Sequence, residues 1–88
     1  MKSLADLKRR VTVGTVFHCE NYRRPEATGL RTVTQVQTNG FWYATPAHPR
    51  CWIAYPKVTD LRFEGEKVTF MRDSITPCFT YDFGGEEA

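Results

Sequence analysis

The chain has 88 residues, a formal charge of +2 and 14% aromatic residues, which limits it to one hydrophobic core and leaves little stability for a deep catalytic cavity. No stretch approaches the roughly 18 consecutive apolar residues of a membrane span, and Met1-Lys2-Ser3-Leu4-Ala5-Asp6 lacks the apolar run of a signal peptide. A soluble, cytoplasmic chain with no membrane contact is therefore expected.

Cys19, Cys51 and Cys78 are an odd, widely spaced set, which suits reduced thiols better than a disulfide framework. The small net charge hides an asymmetry of +6 over residues 1–62 and −4 over residues 63–88.

Ser3 with Asp6 three residues on forms a capping-box-like start, and Leu4, Leu7 and Val11 follow at helical spacing, so a helix is predicted over residues 3–10. Lys8, Arg9 and Arg10 fall in its last turn, where cations complement the helix dipole, and Gly14 lets the chain turn away. From Thr15 to Asn21 the residue types become β-branched and aromatic, which predicts a first strand. Residues 23–29 then form a polar loop.

Leu30 to Thr38 predicts the next strand. It ends at Asn39-Gly40, where a type I′ turn with positive φ at both residues is expected before Phe41-Trp42-Tyr43. Pro46 and Pro49 make residues 45–50 a loop. Cys51 to Tyr55 resumes a strand with Trp52 and Ala54 on one face and Ile53 and Tyr55 on the other. After Pro56 and a tight turn, Leu61 to Phe63 and Val68 to Phe70 pair about Glu64-Gly65-Glu66-Lys67.

Phe79, Tyr81 and Phe83 alternate with Cys78, Thr80 and Asp82, the pattern of a half-buried closing strand. The expected fold is mainly β: a small, strongly bent antiparallel sheet or SH3-like barrel of five to seven short strands with one N-terminal helix. One domain spans residues 1–83, and residues 84–88 form a flexible acidic tail.

No metal or other cofactor is expected. His48 and Cys51 have the spacing of one zinc knuckle, but no second pair exists, and adjacent His18 and Cys19 point to opposite faces of a strand. A cysteine attacking with His18 or His48 as base needs an adjacency that spacing does not supply. Phosphate loops, nucleophile elbows and His-Glu-x-x-His are absent, so a non-enzymatic role is expected, with a cysteine/histidine enzyme as the weakest alternative.

Binding has more material. Arg23, Arg24, Arg31, Arg50, Lys57 and Arg62 accompany Tyr22, Trp42 and Tyr55, and small barrels hold single strands by stacking bases on rings beside a basic groove. An isoelectric point near 8.5 and interspersed Glu20, Glu26 and Asp60 weaken that reading.

For a protein partner, the loops at 22–29 and 45–50 combine Arg, Tyr, His and Pro, and Arg and aromatic residues anchor interfaces. Phe41-Trp42-Tyr43 puts large rings on both faces of the sheet, so Trp42 is either exposed to a partner or covered by the helix through Leu4 and Leu7. The candidate binding residues are thus Tyr22, Arg23, Arg24, Arg31, Trp42, His48, Arg50, Tyr55 and Lys57. A protein partner ranks above single-stranded or duplex nucleic acid, and exposed edge strands also allow a homodimer.

Val13-Gly14-Thr15, the run Arg31 to Phe41, Trp52, Pro56-Lys57 and Leu61-Arg62-Phe63 together resemble a group of small uncharacterised proteins of actinobacteria and their phages. The resemblance extends over about two thirds of the chain. It implies a compact accessory protein of a phage or mobile element that binds host or phage macromolecules, and it assigns no functional residue.

Overall fold

In a computed structural model, which describes residues 1–84, one α-helix and seven antiparallel strands form a curled half-barrel. The predicted acidic tail lies, beyond Gly84, outside the described residues. Helix α1 is Leu4–Arg10, and the strands are β1 Val16–Asn21, β2 Gly29–Gln37, β3 Gly40–Ala44, β4 Cys51–Ala54, β5 Leu61–Glu64, β6 Lys67–Met71 and β7 Pro77–Asp82. Their order across the sheet is β4-β3-β2-β1-β7-β6-β5. Among the described residues, no helix is long and apolar enough to cross a membrane.

The helix starts as its sequence predicts, with the Ser3 hydroxyl accepting from the Asp6 amide at 3.2 Å. The Asp6 carboxylate instead accepts from the Lys2 amide, so the reciprocal contact falls one residue before the cap. Gly14 turns the chain into β1 at φ +93°. Five antiparallel pairings of consecutive strands build the two wings of the sheet, and the long-range pairing of β1 with β7, through His18↔Asp82 and Asn21↔Phe79, joins them.

The turn at the β2–β3 hairpin differs from expectation. Gln37 pairs with Gly40, so Thr38 and Asn39 form the turn, and neither they nor Gly40 has positive φ. That excludes the type I′ geometry. A bulge between Val33 and Gln35 leaves Thr34 unpaired, re-aiming the exposed end of β2.

The concave face buries Phe17 and Cys19 of β1, Val33 of β2, Phe41 of β3, Val68 and Phe70 of β6, Tyr81 of β7 and Phe83. Phe17 sits among rings, 4.7 Å from Tyr81, 5.1 Å from Phe83 and 6.0 Å from Phe41 between centroids. Each such pair adds about 0.5–1.5 kcal/mol beyond its burial.

Helix α1 closes one end of this concavity with Leu7 and with Val11, the residue that caps its C-terminus, and is pinned there by the Met1 ammonium on the Gly65 carbonyl and by the Arg10–Glu66 ion pair. The helix thus packs on the face opposite Trp42, so of the two alternatives the cover of Trp42 by Leu4 and Leu7 does not occur. The other end of the concavity carries the loops at residues 21–29 and 45–50.

A candidate anion-binding cleft

Two loops face each other across the end of the half-barrel remote from the helix. The first wraps around Asn21, whose side-chain oxygen accepts from the Arg23 and Arg24 amides at 3.0 and 2.8 Å. A 3-10 turn at Pro25–Ala27 follows, and Thr28 returns its hydroxyl to the Asn21 amide at 3.1 Å. In the second loop, Thr45 and His48 exchange backbone bonds of 2.8 and 3.3 Å, and the Thr45 hydroxyl accepts from the His48 amide at 2.9 Å. Each wall is therefore held by its own hydrogen bonds and needs no ligand to set its shape.

Between the walls lies a cleft of about 590 Å³, lined among others by Arg24, Glu26, Arg31, Tyr43, His48 and Cys51. The sequence groups Arg31 with the other arginines as a candidate binding residue. The structure buries it to 8% exposure, because Arg31 shares the inward face of β2 with Val33. Its guanidinium donates to the Tyr43 hydroxyl at 2.7 Å and to the Ala27 carbonyl at 3.0 Å, while Nε is buried without a partner. The same group lies 4.7 Å from the Tyr43 ring and 6.0 Å from that of Tyr81.

No carboxylate among the described residues pairs with Arg31; the ion pairs there are Arg9–Asp6 and Arg10–Glu66. The neighbouring acids cannot neutralise it either. Burial pushes the Tyr81 phenol well above its ordinary range and raises Tyr43 and the Cys19 thiol, outweighing the pull of Arg31 toward the ionised forms. Arg31 is thus a buried cation in contact with neutral phenols and a backbone carbonyl, an arrangement that rewards an incoming anion.

Of the residues singled out from the sequence, Arg24, Arg31 and His48 meet in this cleft. Trp42 and Arg50 belong to the convex face, where the Arg50 guanidinium lies 4.2 Å from the Trp42 ring and Trp52 pairs with Trp42 at 5.2 Å. Arg23 is exposed beside the cleft.

Tyr22 projects over β7, and its hydroxyl joins a chain with Thr80 at 2.8 Å that continues to Thr69 at 2.9 Å. Tyr55, expected among the exposed rings, turns into the concavity with its hydroxyl buried and unpartnered and Lys8 over its ring. Tyr55 sits at the helix end beside Lys8, and neither it nor the exposed Lys57 lines the cleft.

Sequence reasoning missed Tyr43 and the Ala27 carbonyl as the groups that hold Arg31. The available signal was the inward alternation Arg31–Val33 opposite Phe41–Tyr43. His48 and Cys51 do line one cleft, but among the described residues no three potential ligands gather as a metal site.

A second depression of about 510 Å³, beside the end of α1, is an open groove whose Arg10 is already paired with Glu66. No protein-family model, curated protein or solved structure matches this chain.

Proposed function

We propose that this chain is a small non-enzymatic binding module that engages a protein partner through the end of the half-barrel formed by residues 21–29 and 45–50. The observation that carries the reading is the cleft itself: two self-braced walls around a buried guanidinium without a carboxylate partner among the described residues. The resemblance to proteins of actinobacteria and their phages adds a setting, an accessory factor acting in the cytoplasm on a host or phage protein.

A photo-crosslinking residue in place of Ala47 on the cleft rim, in a lysate of the cells that carry the gene, tests this. A discrete product from Ala47 and none from Glu64 at the opposite end is expected; equal labelling from both positions overturns the reading.

A second reading, binding of single-stranded nucleic acid, draws on Trp52, 37% exposed beside the Trp42–Arg50 stack. Against it, the basic residues are divided between both ends of the molecule, and Tyr22 and Tyr55 are engaged with their own fold. Anisotropy with labelled single-stranded and duplex DNA decides: tight binding that weakens steeply with salt would favour this second reading. Self-association through the unpaired edges β4 or β5 is checked by size-exclusion chromatography with light scattering.

A further inference from the structure

We propose that the cleft is a carboxylate-binding site, in which Arg31 receives an acidic side chain or the chain terminus of a protein partner. This rests on the binding-module reading and names the chemistry the module recognises.

A guanidinium has five N–H donors in a rigid fork. Arg31 spends one on Tyr43 and one on Ala27 and lies against the Tyr81 phenol, and its Nε is left without an acceptor among the described residues. Fork geometry suits the two oxygens of a carboxylate. The Tyr43 hydroxyl, accepting from Arg31, keeps its own proton to donate.

Charge selects the ligand further. Arg24, Glu26 and Arg31 all line the cleft, a formal balance of one positive charge among these three side chains, which matches a monoanion better than a phosphate dianion. At about 590 Å³ the cleft falls within the range of ligand pockets and exceeds what a lone inorganic ion fills. An acidic side chain with its flanking backbone fits that space.

The test is a two-dimensional NMR titration of the whole chain, following backbone amides and the Arg31 Nε–H signal. The probes are a capped alanine pentapeptide with a central glutamate, its glutamine analogue, an acetylated pentaalanine with a free carboxyl terminus, sodium acetate and sodium phosphate. Either carboxylate peptide should shift Arg31 and Ala27 saturably and bind at least tenfold more tightly than the glutamine peptide. Which of the two binds better separates side-chain from terminal recognition.

Arg31→Met should abolish the response. Ala47→Trp, placed on the exposed rim, should weaken it at least tenfold while leaving the core untouched, so the test survives a misfolded Arg31 variant. Glu26→Gln should tighten binding severalfold. An equal response to the glutamine peptide, tighter binding of phosphate, or acetate as effective as either peptide overturns the proposal. Crosslinking at Ala47 without any carboxylate response sinks this site alone, whereas a carboxylate response without crosslinking counts against the protein-partner reading.

Discussion

Gly40 lies directly beneath the indole of Trp52: a side-chain carbon placed on it would come within 2.7 Å of that ring and 2.2 Å of the Ile53 carbonyl oxygen. Glycine is needed at this position because of a neighbour on the next strand, since its φ is not positive. Gly40→Ala should therefore destabilise the fold by about 1–3 kcal/mol through overpacking. Denaturant unfolding followed by tryptophan fluorescence measures it, and an unchanged midpoint would contradict the packing of Trp52 over β3.

The Trp42–Trp52 pair offers a spectroscopic check. Two indoles 5.2 Å apart and tilted by 50° couple their transitions, and far-ultraviolet circular dichroism should carry an exciton couplet that Trp42→Phe and Trp52→Phe each remove. Trp42 Nε1 is buried without a partner. Trp42→Phe removes that unsatisfied donor, and should cost less stability than Trp42→Ala by about 1–3 kcal/mol.

Arg31 separates a binding role from a structural one. Replacing a buried, uncompensated charge by an apolar side chain of similar length is neutral or favourable, so Arg31→Met should change the unfolding free energy by less than about 1 kcal/mol. A loss of about 3–5 kcal/mol in thermal or denaturant unfolding would mean that the guanidinium is a structural strut for the loop at Ala27.

The stability of the fold should depend on alkaline pH. Burial raises Tyr81 well above its ordinary value of 10.0, so the folded chain keeps a phenolic proton that the unfolded chain releases. This stabilising contribution is complete below pH 10 and is lost as pH rises toward the folded value, at about 1.4 kcal/mol per pH unit. Tyr43, Tyr55 and Cys19, all raised chiefly by burial, act in the same direction. Denaturant midpoints across an alkaline series should fall, and Tyr81→Phe should flatten the slope.

At the opposite extreme of pH, Asp73 accepts from the Ile75 and Thr76 amides at 2.9 and 2.8 Å, and these bonds hold its carboxyl below its ordinary value. The contribution of this turn is present above the unfolded carboxyl value and disappears as pH falls through the folded one. Asp73→Ala should accelerate hydrogen exchange at Ile75 and Thr76 even at neutral pH.

Much of the fold was legible because it rests on local rules. Ser3 and Asp6 mark the helix start, Gly65 marks a hairpin, and the alternation of Phe79, Tyr81 and Phe83 identifies an inward-facing strand whose period-two pattern survives folding unchanged. Asn39-Gly40 marked the right hairpin for the wrong reason, since local φ preference cannot register an indole arriving from the next strand.

The sequence by itself determined a single-core, mainly β chain with one capped helix and two Arg-bearing loops, because residue periodicity and turn chemistry are encoded within a few positions. Only the tertiary structure decided that Arg31 leaves the surface, that Tyr43 and the Ala27 carbonyl receive it, and that Trp42 is covered by Trp52 and Arg50 rather than by the helix. Those outcomes depend on which strands pair and which face the sheet curls toward, and both follow from burying apolar surface contributed along the whole length of the chain.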